Sequence, residues 1–350
     1  MTQRWHGWLS LDHDLNGIQK IHGRPVPRVG GLAVFSALLV GGLGALWINE
    51  PLAPQILALL LCSLPAFLAG LLEDFTKRVS IQTRLIASFA SAALAFWTLD
   101  AQLVKLDTPG LDYLIQFSLI SFTFTCFAVG GMTNAINIID GLNGLASGSV
   151  ALILAGLAAI AWSQGDLLVS KLCLWGIAAT IGFLMVNYPF GKIFLGDGGA
   201  YLAGFWVAEC AVMLLYRNPS VSTWAVLLAT IYPVWEAVYS MCRRHMVTKI
   251  KTGAADQSHL HHLLYRLSQQ GKNSVARRAW TSHGVVSMQI WTMVATCQVI
   301  ALLYSTDTVV CLACTLGFSI FYGMLYRQSS KLALAPDHAM PTPGITKMTS

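Results

Sequence analysis

Residues 113–162 read YLIQFSLISFTFTCFAVGGMTNAINIIDGLNGLASGSVALILAGLAAIAW. Two apolar runs, 113–133 and 145–162, flank one short polar string, Asn134 to Gly144. A hydrocarbon core of ~30 Å needs roughly 20 apolar residues per spanning helix, and each run is close to that length. Lipid offers a backbone no hydrogen bonds, so such a span must satisfy its own as a helix. Span, polar turn, span: this pattern makes the chain an all-α integral membrane protein.

Working outward, similar runs recur at 30–49, 52–73, 82–99, 170–189, 199–216, 221–241, 285–305 and 307–326, giving about ten spans. The composition agrees: 55% of the 350 residues are hydrophobic, 11% are charged, and the mean hydropathy is +0.60. Soluble domains carry about a quarter charged residues. With loops assigned alternately, all of the 22 Lys and Arg except Lys105, Lys171 and Arg217 fall on one side. The positive-inside rule makes that side cytoplasmic and puts both termini there. The net charge of +6 restates this bias. It is spread over short loops, which excludes nucleic-acid binding and suits membrane lipid headgroups or an anionic substrate. Met1 to Arg28 is polar, with no apolar core of a cleavable leader. We read one domain over 1–330, with a cytoplasmic histidine-containing loop at 242–284 and a disordered tail at 331–350. The eight cysteines lie mostly inside spans as small hydrophobes; Cys311 and Cys314 form a lone CxxC without partner ligands.

Five polar clusters share the basic side. In the opening string, Asn134 and Asn137 are three residues apart and share a face if the helix continues. Asp140 follows, and Gly141 and Gly144 let backbone approach a ligand. Such amides and carboxylates suit directed hydrogen bonds to a base or sugar, Asn143 included. A helix cap would explain one of these four residues, not all of them. Glu73 and Asp74 end the second span, where the helix dipole disfavours anions, so a cation should neutralise them; Lys77 and Arg78 follow at once. Gly196-Asp197-Gly198-Gly199 opens the seventh span: exposed N–H groups there attract anions, and Asp197 either caps the helix or holds Mg²⁺ against phosphate. Asn187 sits ten residues earlier at the same membrane face. His259, His261 and His262 lack zinc-site spacing and read as phosphate donors or as incidental loop residues. His22 to Gly31 presents Arg24 and Arg28 on a proline-stiffened segment, fit for phosphate or for a topogenic flank. Glu209 and Glu236 lie within spans, Glu236 within reach of Arg243 or Arg244.

Taken in order, these strings resemble the polyprenyl-phosphate N-acetylhexosamine-1-phosphate transferases, over about Asp12 to Arg266. His22 to Gly31 is similar to the family's N-terminal motif. Glu73, Asp74 and Lys77 resemble its acidic pair and lysine, and Asn134, Asn137, Asp140 and Asn143 its NxxNxxDGxDG motif. Asn187, Gly196 and Asp197 resemble its metal-binding loop, and His259, His261 and His262 its histidine motif, in a form closer to the O-antigen-initiating branch than to the peptidoglycan translocase. Glu73 and Asn143 each stand where the family usually has aspartate. The family usually has eleven spans, and the helix before the N-terminal motif is absent from our count.

The resemblance implies transfer of an N-acetylhexosamine-1-phosphate from a UDP-sugar to undecaprenyl phosphate, releasing UMP, at the cytoplasmic face of a bacterial inner membrane. It implies Mg²⁺, with Mn²⁺ as a substitute, held by Asp197 with Asp74. Glu73, Asp74, Lys77 and Asp197 would be catalytic. Arg28, Asn134, Asn137, Asp140, Asn143, Asn187, His259, His261 and His262 would bind substrate. A homodimer is open, as is the amino sugar. Two other readings stand beside this one: a secondary transporter coupled through Glu209 and Glu236, and a catalytically lapsed relative.

Overall fold

The computed structural model describes residues 26–245, 258–269 and 279–333. His22, Arg24, Asp256 and the chain after 333 lie outside the described residues. The described chain is α-helical, with no β-strand. In chain order its helices are α1 Gly30–Trp47, α2 Ala53–Cys62, α3 Leu64–Thr76, α4 Ile81–Thr98, α5 Leu111–Leu114, α6 Ser118–Ile139 and α7 Leu145–Ser163. There follow α8 Leu167–Asn187, α9 Gly196–Arg217, α10 Thr223–Ala229, α11 Ile231–Arg243, α12 Leu260–Gln269, α13 Ala279–Leu303 and α14 Thr308–Ala333.

Helices stand at all ten expected positions. Seven are single helices long and apolar enough to cross a membrane, and two more spans form bent pairs, α2 with α3 at 49° and α10 with α11 at 80°. The tenth, α4, is 18 residues long but carries Gln82, Thr83 and Arg84 in its first turn and falls below that measure. The chain is a multi-pass membrane protein.

The bends have covalent causes. Pro65 enters α3 and Pro233 enters α11; each lacks an N–H, and its ring collides with the carbonyl four residues back. For Pro233 that carbonyl belongs to Ala229, and the Gln298 amide of α13 donates to it at 2.6 Å. For Pro65 the break falls at Ser63, whose hydroxyl donates to Leu60 O at 2.6 Å.

At the centre stands α9, about 33 Å long at 1.5 Å per residue. Every residue of its apolar window is buried in protein, whereas only 22% of the α14 window is. Small residues let neighbours close on it. A Cβ added to Gly70 of α3 would lie 2.7 Å from the Asp197 carbonyl, and one on Gly31 of α1 would lie 2.3 Å from Gly199 N. Backbone therefore meets backbone at the α9 N-terminus, where the side-chain chemistry collects. Helix α14 runs to Ala333, so the first residues expected to be tail are helical.

Candidate active site

The site is assembled on the N-terminus of α9. Gly196 adopts φ +75, open to glycine, and a Cβ there would meet Asp74 Oδ2 at 2.6 Å. That space lets Asp74, from the end of α3, reach under the helix. Its Oδ1 accepts from Asp197 N–H and its Oδ2 from Gly198 N–H, both at 2.9 Å. A carboxylate misplaced at one helix's negative end thus becomes the cap of another's positive end. Asp197 itself caps nothing; it lies in the first turn with its side chain turned outward and partly exposed.

Asp197 gathers the other clusters. Helix α6 does continue past residue 133, so Asn134 and Asn137 share a face. Asn137 Nδ2 donates to Asp197 Oδ1 at 3.3 Å, and Asn134 Oδ1 accepts from the Tyr201 hydroxyl at 2.9 Å. The Arg84 guanidinium forms an ion pair with Asp197 Oδ2 and lies over the Tyr201 ring, 5.8 Å from its centroid. Its Nε–H is buried without a partner. Arg84 was not among the sequence candidates; the signal was a guanidinium one turn inside an apolar helix, read only as topogenic charge.

Asp140 lies just beyond α6, within electrostatic reach of Arg28, Asp197 and Asp74. Burial pushes its carboxyl up to about 7; Arg28 pulls it down, and the two carboxylates add to the rise. Arg28 comes close because the chain before α1 is tied to the loop before α9: Phe194 N–H donates to Pro27 O, and Gly30 and Gly31 N–H donate to Phe194 O and Leu195 O. Lys77, in left-handed conformation at φ 54, ends α3 and lies within electrostatic reach of Asp74. Glu73 Oε2 accepts from Val79 N–H at 2.8 Å, and its carboxylate lies within electrostatic reach of Tyr201.

Asn143 and Asn187 are buried braces. Asn187 accepts from Gly144 N–H at 2.5 Å and donates to Ile193 O at 2.7 Å; Asn143 donates to Pro189 O at 3.0 Å. Their amides fasten the 140–144 turn to the 188–193 loop. Against that turn sits the histidine segment. A Cβ on Gly141 would lie 2.8 Å from His261 Nε2 and 3.2 Å from His262 Cε1. His261 is fully buried and neither ring nitrogen has a partner. Burial, then the neighbouring His262 and His259, hold its pKa well below the usual histidine range, so it is neutral, able to donate at one nitrogen and accept at the other.

Asp74 and Asp197 meet at one helix terminus, Asp74 accepting two backbone N–H groups and Asp197 paired with the Arg84 guanidinium. Among the described residues no three His, Cys, Asp or Glu converge as a closed metal site. Mg²⁺ asks for less: one or two carboxylates, with phosphate oxygens and water completing its shell. Orphaned buried donors at Arg84 and His261, with Arg28 and Lys77 nearby, suit an anion beside it.

Residues 56–215 match the sequence model of glycosyl transferase family 4. A probable undecaprenyl-phosphate N-acetylglucosaminyl 1-phosphate transferase of Bacillus subtilis is 29% identical over 260 residues, 73% of this chain and 70% of that protein. An undecaprenyl-phosphate alpha-N-acetylglucosaminyl 1-phosphate transferase of Thermotoga maritima is 31% identical over 250 residues, 71% of each chain. A phospho-N-acetylmuramoyl-pentapeptide-transferase of Geobacillus kaustophilus is 29% identical over 199 residues, 53% of this chain and 60% of that protein. The family match includes Asp74, Arg84, Asn134, Asn137, Asp140, Asn187 and Asp197, and the chain belongs to glycosyl transferase family 4, the polyprenyl-phosphate N-acetylhexosamine-1-phosphate transferases.

Proposed function

We propose that the protein transfers an N-acetylhexosamine-1-phosphate from a UDP-sugar to undecaprenyl phosphate, at the cytoplasmic face of a bacterial inner membrane, to begin an O-antigen or related envelope polysaccharide. The observation that carries this reading is the meeting of Asp74, Asn137, Arg84 and the α9 N-terminus around Asp197 at one end of an apolar bundle. A lipid acceptor and a water-borne nucleotide sugar can meet only at such a boundary. The names of the relatives with the widest coverage support undecaprenyl phosphate as acceptor and make UDP-N-acetylglucosamine the first donor to test.

In the reaction, an oxygen of the lipid phosphate attacks the β-phosphorus. The bond from that phosphorus to the bridging oxygen breaks, and its electron pair leaves with UMP. The acceptor is a phosphate monoester, largely ionised near neutral pH, so no base is obligatory. Catalysis is then mostly positioning and charge neutralisation. Bound Mg²⁺, or Mn²⁺ in its place, would neutralise the diphosphate, held by Asp197 with Asp74 behind it. Arg84, Arg28 and Lys77 bind phosphate oxygens. Asn134, Asn137 and Asp140 face the donor's uridine side, and neutral His261 with His262 backs the Asp140–Gly144 turn at Gly141. Glu73, Asn143 and Asn187 act by shaping the turns that carry these groups.

The test is UMP release from membranes supplied with undecaprenyl phosphate, Mg²⁺ and a panel of UDP-sugars. Asp197→Asn should insert normally and release no UMP, and EDTA should stop the wild type. Full activity in that variant, or turnover in EDTA, defeats the mechanism.

A further inference from the structure

The histidine segment is not held by its own motif. Three donors converge on Glu236 of α11. His259 Nδ1 lies 2.9 Å from Oε1, Leu260 N–H donates to the same oxygen at 3.2 Å, and the Tyr322 hydroxyl of α14 donates to Oε2 at 2.8 Å. Glu236 and Tyr322 are at most 1% exposed, and His259 is 4% exposed, so water does not compete for these bonds. A second anchor lies one turn along α14, where the Tyr326 hydroxyl donates to Ser258 O at 2.8 Å. The Tyr239 ring packs against both tyrosines, with centroids 5.3 and 4.7 Å away. With a carboxylate at Nδ1, the His259 proton is fixed on that nitrogen, which settles tautomer and ring orientation together. His259 in turn stacks on His261 at 5.5 Å and 4°, and His261 abuts Gly141.

We propose that Glu236 and Tyr322 are positioning residues for the transfer reaction: Glu236, held by the Tyr322 hydroxyl, fixes the His259 ring and the first turn of α12, and so sets where His261 and His262 stand against the Asp140–Gly144 turn. Helix α14, which lies beyond residue 215 where the family match ends, thereby becomes part of the active-site scaffold. This rests on the transferase reading of the site. A carboxylate with three donors is more than a single helix cap requires, and its protein partners come from the head of α12 and from α14.

The experiment uses the full chain, solubilised in detergent, and the variants Glu236→Gln, Glu236→Asp, Tyr322→Phe, His259→Gln and the Glu236→Gln/His259→Gln double. UMP release from UDP-N-acetylglucosamine gives kcat and KM, and hydrogen exchange is read over 258–269. Tyr322→Phe and Glu236→Gln should lower kcat roughly 10- to 100-fold, the scale of a misplaced positioning group, with KM for the lipid unchanged. Exchange over 258–269 should quicken, Glu236→Asp should recover part of the rate, and the double should be no worse than its poorer single. Unchanged kcat in Tyr322→Phe, an additive double, or unchanged exchange overturns the proposal. Should Glu236→Gln fail to fold, Tyr322→Phe, which keeps the ring and deletes only the hydroxyl, decides alone. If the wild type releases no UMP from any UDP-sugar, the transferase reading falls, and the clamp is judged by exchange: unchanged protection in Tyr322→Phe sinks it.

Discussion

Consider Asp74→Asn. In the wild type each carboxylate oxygen accepts one N–H at the head of α9, at 2.9 Å. Asparagine is nearly isosteric but keeps one acceptor oxygen and turns an NH₂ toward a backbone N–H. Losing one hydrogen bond to a charged group costs about 1.5–3 kcal/mol. Losing the negative charge at a helix N-terminus adds about 0.3–1 kcal/mol. Asp74 is only 8% exposed, so water cannot replace the missing acceptor. The sum, about 3 kcal/mol, corresponds to a local opening equilibrium raised roughly 100-fold. Hydrogen exchange of a peptide covering 195–200 measures it directly: the Asp197 and Gly198 amides should exchange about two orders of magnitude faster. UMP release should fall with it, since Asp197 rides on this turn. Glu73→Gln is the control, because that carboxylate caps Val79 and leaves the two amides alone. Unaltered exchange at 197 and 198 in Asp74→Asn would refute the capping argument, whatever happened to activity.

Three further outcomes follow from the same geometry. Arg84→Ala should lower UMP release roughly 100-fold, the scale of a lost charge clamp in phosphoryl transfer, and Arg84→Lys should restore only part, since one ammonium cannot hold Asp197 and reach a phosphate together; steady-state kinetics checks both. Gly70→Ala drives a Cβ to 2.7 Å from the Asp197 carbonyl, so α3 and α9 must part, at a cost of about 1–3 kcal/mol, visible as a lower melting temperature with reduced turnover. Asp140 holds its proton more tightly folded, at about 7, than its ordinary 3.8. Its contribution to stability is therefore complete below about pH 4 and lost as pH rises through about 7. In buffers without divalent cations the wild-type melting temperature should decline across that window, and Asp140→Asn should flatten the decline.

Much of this was legible in the chain. Apolar run lengths gave the helices, and the three-residue spacing put Asn134 and Asn137 on the face that meets Asp197 and Tyr201. What escaped were partnerships set by packing rather than by local pattern. Asp74 finds its donors 123 and 124 positions along the chain, a pairing no local rule supplies. Glu236 was read against its neighbours Arg243 and Arg244, and it serves His259 and Tyr322. The spans at 52–73 and 221–241 were read from their length alone, and Pro65 and Pro233, which mark both breaks, were not used. At the far end, Asp166 caps α8 and binds Arg217 and Asn218, a knot whose members are some fifty residues apart.

The enclosure of α9 has a mechanical consequence. A pillar that touches no acyl chain feels neither bilayer thickness nor lateral pressure directly. Bilayer strain reaches it only through its neighbours, by way of the tight backbone contacts at Gly31 and Gly70. The peripheral helices meet a mismatch first, and Asp197 is carried by the most enclosed of the described spans.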